Sequence, residues 1–388
     1  MRKGFTLILI LVLIFILFIA LIVFRGLGRT DNTETKESEI GNSVVPQQSE
    51  PPKETVEFPL ISIFSQGLDT PWAIAFLADG NLLVTERKGT VRLVSKDGVL
   101  QDSPVAEISS AKEIGEGGLQ GITLHPDFAS NGFLYLYYTY ACSEGNTLNR
   151  VGRMTYKDRS LSNEQIIVDE IPGASNHDGG RIKFGPDKLL YITTGDAQNP
   201  SSAQDKGSLS GKILRVTDDG SPAQGNPFGN GVYSYGHRNP QGITWDDNGG
   251  LWETEHGPSG LETGNDEFNR IEIGKNYGWP EIRGTQTKPD MITPLIESGR
   301  SDTWAPAGLA FANGKFYFAG LRGQSLYQVT VSNGTYNLKT YFKGEYGRLR
   351  EVILGPDGML YVTTSNRDGR GNVKPGDDKI LRINPEKL

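Results

Sequence analysis

The segment Asn176-His177-Asp178-Gly179-Gly180-Arg181 puts an imidazole on a glycine-rich loop just ahead of the apolar run Ile182-Lys183-Phe184. Imidazole titrates near neutrality, which suits His177 to take a proton from a substrate hydroxyl. The neighbouring glycines would let backbone come close to a flat ligand. Four arginines, Arg238, Arg322, Arg348 and Arg350, stand beside later apolar runs. Their planar, permanently charged forks pair with carboxylates. One base and several guanidinium groups together suggest proton abstraction beside a flat anion that carries carboxylates. Glu116, Asn239 and the His256-Gly257-Pro258 loop occupy comparable places. The oxygen-rich stretches Gly257-Pro258 and Gly264-Asn265-Asp266-Glu267 suit calcium, which prefers carbonyl and carboxylate oxygens. Zinc is poorly served, because the four histidines show no His-x-His or His-x-x-x-His spacing. The single Cys142 excludes an internal disulfide and a cysteine-based metal centre.

The elements that must position these residues form a repeat. A short apolar run, a Gly/Asp/Asn turn and a second alternating run recur six times, with Ile74, Ile122, Ile182, Ile243, Leu309 and Val352 in equivalent places. Each pair reads as a β-hairpin. Further strands follow several copies, as at Thr90–Val94, Ile213–Val216, Leu326–Val329 and Ile380–Ile383. Four strands in each of six repeats predict an all-β, six-bladed β-propeller. The segment 58–64 is expected to close the ring by pairing with 379–384. In such a ring, the loop before each first strand and the loop after each second strand gather on one face. That places His177, Arg238, Asn239, Glu116 and the 256–258 loop together, with Arg322, Arg348 and Arg350 nearby. His125, in a Leu-His-Pro-Asp turn, reads as a turn residue.

The propeller is expected to span 58–388. Residues 30–57 are polar and proline-containing, as a disordered linker would be. Ahead of them, Phe5 to Phe24 carries no charge and is long enough to cross a bilayer. With no small-x-small cleavage pattern behind it, residues 1–29 read as one N-terminal transmembrane helix, with a cleaved signal sequence and secretion as the alternative. The formal net charge of −7 argues against a nucleic-acid partner.

Six motifs in order are EGGLQGITLHPDF at 116–128, NHDGGRIKFGPD at 176–187, YGHRNPQG at 235–242, EHGP at 255–258, NDEFNRI at 265–271 and NYGWP at 276–280. The combination resembles the soluble quinoprotein glucose/sorbosone dehydrogenases, and most of all their aldose sugar dehydrogenase branch. The resemblance covers roughly Phe58 to Pro385. It implies a propeller that holds pyrroloquinoline quinone (PQQ) and calcium, and that oxidises aldoses to lactones with electrons passed to an external acceptor. By the same resemblance His177 is the general base, and Arg238 stabilises negative charge on the quinone oxygens. Glu116, Asn239, Arg322, Arg348 and Arg350 hold the cofactor. The Gly257 and Pro258 carbonyls bind the active-site calcium, and Glu267 and Tyr277 a second, structural one. Glu116 and Arg322 stand where the glucose-specific branch has glutamine and lysine. Asp178 matches no ligand position. An anchored dehydrogenase facing the extracytoplasmic side is the first expectation. A calcium-dependent lactonase and a non-catalytic cell-surface propeller are the competing ones.

Overall fold

The structure, a computed structural model, describes residues 57–142, 145–258 and 263–388. The expected anchor and the linker up to Val56 lie outside these residues. Among the described residues no helix is long and apolar enough to cross a membrane.

Six antiparallel four-stranded sheets make the six expected blades. Their two innermost strands are Pro71–Phe76 and Leu82–Glu86 in blade 1, Leu119–Leu124 and Phe133–Ala141 in blade 2, and Ile182–Phe184 and Leu190–Thr194 in blade 3. Blade 4 has Pro240–Trp245 and Leu251–Glu255, blade 5 Pro306–Ala312 and Lys315–Gly320, and blade 6 Leu349–Leu354 and Leu360–Thr364. The expected closure is present. Ile61–Gln66 forms the outer strand of blade 6 and pairs with Lys379–Ile383, Ile61 opposite Ile383. The two ends of the propeller sequence are thereby locked into one sheet.

Each blade is buried on both faces, so its inner strands read as continuous apolar runs. Side chains alternate across a strand. Leu82 and Val84 pack into the seam with blade 6, while Leu83 packs into the seam with blade 2. Six apolar clusters result, one in each seam. A scaffold packed in this way is rigid, and the loops at one end of its central axis are held in register with one another.

Candidate active site

Those loops surround a cavity of about 410 Å³, the size of a small-cofactor pocket. His177, Arg238, Arg322, Arg348, Arg350 and Glu116 all line it. The imidazole and the four guanidinium groups singled out from the sequence thus face a common space, joined there by His256, Arg87 and Arg370. Asn239 is not among the lining residues. It is fully buried, its Oδ1 accepts the Gly179 N–H at 3.0 Å, and its Nδ2 has no partner.

His177 sits in a left-handed conformation, φ 67°. Gly195 passes so close beneath it that a Cβ there would lie 1.8 Å from the His177 carbonyl. Gly195 is thus glycine because of the His177 backbone. Gly179 and Gly180 serve a different purpose from the expected one. Neither lines the cavity; their missing side chains make room for the Thr193–Thr194 backbone and for Gln120. The His177 ring is fixed by Asp196, which the sequence reading missed. Nδ1 lies 2.7 Å from Asp196 Oδ1, and Asp196 is fully buried. Trp279 Nε1 donates to the other carboxylate oxygen at 2.8 Å. An ionised carboxylate only accepts, so the Nδ1 position carries the proton and Nε2 is left as the basic nitrogen.

The arginines are held by their own partners. Arg348 donates to Asp368 at 2.8 Å and to the Leu321 carbonyl at 3.2 Å. Arg350, which falls inside the first strand of blade 6, donates to Ser365 and Gln241 at 3.3 and 3.2 Å. Burial lowers its pKa to about 9, which leaves it charged at neutral pH. Arg238 donates to the His256 carbonyl at 3.1 Å and lies 5.3 Å from the Trp279 ring centroid. Burial lowers its pKa too, against the pull of nearby acids such as Asp196 and Glu255. Arg322 makes no side-chain hydrogen bond among the described residues, and its guanidinium is free to meet a ligand.

Glu116 enters the same space. One oxygen accepts from Arg370 Nη1 at 2.6 Å and the other from the His177 N–H at 3.3 Å. Burial works against its ionisation, but His256, Arg370 and that N–H outweigh it and bring the carboxyl down to about 2. His256 itself is pushed down to about 3 by burial.

The Gly257-Pro258 segment forms another part of the wall. Asp266 anchors it, accepting the Gly257 N–H at 2.8 Å on one oxygen and the Trp304 and Ala305 N–H groups on the other. Gly257 cannot carry a side chain, because the Gly264 and Asn265 carbonyls would lie 2.2 and 2.3 Å from its Cβ.

Glu267 and Tyr277 belong to a separate buried cluster that is not part of this cavity. Ligand-type atoms of His237, Glu253 and Glu255 lie within 4.8 Å of one another, and Asn269 bridges Glu253 to Glu267. Burial, followed by mutual repulsion, pushes the Glu253 and Glu267 carboxyls well up. Glu255 is raised to about 8, chiefly by burial. Tyr277 borders the cluster by stacking on His237 at 4.8 Å, and its hydroxyl is already paired with the Arg270 carbonyl and the Glu272 N–H. His125 is a turn residue, as expected, with Nδ1 accepting the Asp127 N–H at 2.9 Å.

Asp196, Asp368 and Arg370 escaped the sequence reading, while Asp266 entered it only within an oxygen-rich stretch and Trp279 only within the NYGWP motif. One signal for two of them was available. Asp196 and Asp368 both lie within four residues of the end of a second strand, as do Arg87, His256 and Arg322, although not at equivalent positions.

Residues 68–381 match the Glucose / Sorbosone dehydrogenase family model. The chain is 31% identical to aldose sugar dehydrogenase YliI of Escherichia coli strain K12, covering 84% of this chain and 92% of that protein. It resembles the PQQ-bound form of the aldose sugar dehydrogenase of Streptomyces coelicolor with 41% identity and a TM-score of 0.77, over 83% of this chain and 97% of that one. A putative oxidoreductase (glucose dehydrogenase) from Thermus thermophilus shares 46% identity, again with a TM-score of 0.77, over 83% and 98% of the two chains.

Proposed function

The chain belongs to the glucose/sorbosone dehydrogenase family, and from that membership we propose that it oxidises aldose sugars at the anomeric carbon, with PQQ as resident cofactor. The observation that carries this reading is the pairing of His177 with Asp196 at the wall of an arginine-lined cavity. The residues fit the group. Arg238 Nε and His256 Nε2 are buried polar atoms on residues of the cavity wall, and both lack a partner. With free Arg322 and the Arg348–Arg350 pair they form a donor set for a flat polycarboxylate.

When bound, PQQ supplies the two-electron acceptor that takes hydride from the anomeric carbon. The protein's part is positional and acid–base. His177 Nε2 takes the proton of the anomeric hydroxyl, and the charge that develops on the imidazole is stabilised by Asp196 across the 2.7 Å contact. Arg238 offers a fixed positive charge where negative charge grows on reduction. The sugar leaves as the lactone, having given up two electrons and two protons, and an external acceptor removes the electrons.

Calcium belongs to the same proposal. No described residue donates a hydrogen bond to the Gly257 or Pro258 carbonyl, so both are available to a cation. Such an ion supplies a Lewis acid against the cofactor. The Glu253–Glu255–Glu267 cluster has the oxygen-rich chemistry of a structural calcium site, with Tyr277 at its border. We also retain the uncharged run Phe5–Phe24 as a membrane anchor, with the propeller on the extracytoplasmic side; fractionation of cells producing the full chain tests this.

The reading is tested by reduction of an artificial electron acceptor by purified full-length protein, with aldose, PQQ and calcium each supplied or withheld. Turnover that requires all three supports it. No turnover with every component present rejects it. A lactonase or a binding propeller would be indifferent to the quinone.

A further inference from the structure

Arg370 lies on the glycine-flanked segment Asp368-Gly369-Arg370-Gly371, after the second strand of blade 6. It reaches across the ring to blades 2 and 3. Nη1 meets Glu116 at 2.6 Å and Nη2 meets Asn176, next to the base, at 3.1 Å. The same segment carries Asp368, which holds Arg348. Among the described residues three carboxylates line the cavity: Glu116, Asp266 and Asp368. Asp266 is satisfied by three backbone N–H groups, and Asp368 by Arg348. Glu116 differs. Its ion pair among the described residues is with Arg370.

We propose that Arg370 is a positioning residue for the cofactor: it is the counter-ion that lets a glutamate stand in an anion-binding cavity. The proposal rests on the quinone reading given above. Without Arg370, the Glu116 carboxylate, only 17% exposed, would face the carboxylates of the quinone unneutralised. Like charges brought together in a partly desolvated site repel strongly. An exposed ion pair with no ligand nearby contributes little to stability. Arg370, whose side chain is 54% exposed, is therefore expected to matter for cofactor affinity much more than for folding.

The test is a set of PQQ titrations followed by tryptophan fluorescence, on the full chain with calcium present. The variants are Arg370→Ala, Arg370→Lys, Glu116→Gln and the double variant Glu116→Gln/Arg370→Ala. Arg370→Ala is expected to weaken PQQ binding about tenfold, with the melting temperature close to the parent's. Arg370→Lys recovers most of the loss. Glu116→Gln binds at least as tightly as the parent, and adding Arg370→Ala to it costs little further. A loss from Arg370→Ala that is equally large in the Glu116→Gln background overturns the proposal, as does no loss at all. A parent protein that takes up no PQQ overturns the quinone reading itself and the proposal with it. That failure shows in the first titration, before any variant is compared.

Discussion

Asp196 holds His177 from below, its Oδ1 2.7 Å from Nδ1, while Trp279 occupies its other oxygen. The contact fixes the tautomer and leaves Nε2 as the basic nitrogen. Asp196→Asn keeps the shape but can present an amide N–H to the ring and reverse the tautomer. The expected result is a fall in kcat of about 10²- to 10⁴-fold, with PQQ affinity close to the parent's. Steady-state kinetics beside a PQQ titration measure both.

Trp279→Phe removes one donor from a buried carboxylate and keeps an aromatic ring near Arg238. Its expected cost is about tenfold in kcat, the order of one unsatisfied buried acceptor. An unchanged kcat would mean that Asp196 needs no second restraint.

Asp266 ties the Gly257 N–H to the backbone of Trp304 and Ala305. Asp266→Ala releases the loop whose carbonyls are assigned to calcium. The calcium concentration for half-maximal reconstitution is expected to rise by about 10- to 100-fold, read from acceptor reduction over a calcium series.

The buried glutamates make a prediction about pH. Glu255 is raised from 4.5 to about 8, and Glu253 and Glu267 are raised as well. A raised folded-state pKa means that the fold binds the proton more tightly than the unfolded chain does. The contribution to stability is complete below the ordinary glutamate value and is lost as pH rises through the folded value. The calcium-free protein should therefore melt at progressively lower temperature between about pH 5 and pH 8. Calcium, which replaces the protons, should raise the melting temperature more at the upper end of that range. Equal gains at both ends would count against a metal at this cluster.

The propeller was legible because its physics is local and repeated. Two-faced burial writes the same apolar run into every inner strand, from Ala73–Phe76 to Glu351–Leu354. The ring-closing pair of Ile61 and Ile383 could be anticipated because a ring leaves both ends of the chain needing a partner. The site was legible to the extent that its residues have distinctive chemistry, such as His177 and the arginines. Their supports were not. Asp196 reads as an ordinary turn acid after a strand, and its bond to Trp279 spans 83 residues; the Glu116–Arg370 bond spans 254. No local pattern encodes such pairings; the closed ring alone brings their partners together. Gly179 and Gly180 misled because the close approach they permit is to protein rather than to a ligand: to the Thr193–Thr194 backbone of the same hairpin and to Gln120 of the neighbouring blade.

The central claim is that the His177 imidazole is the base for the sugar. It is tested most directly by His177→Ala, loaded with PQQ and calcium and mixed with aldose, with the rate of quinone reduction followed in a single turnover beside the PQQ affinity. The account predicts a fall in rate of about 10³-fold or more, with affinity within about threefold of the parent's. An undiminished rate, or a loss of affinity as large as the loss of rate, would contradict it.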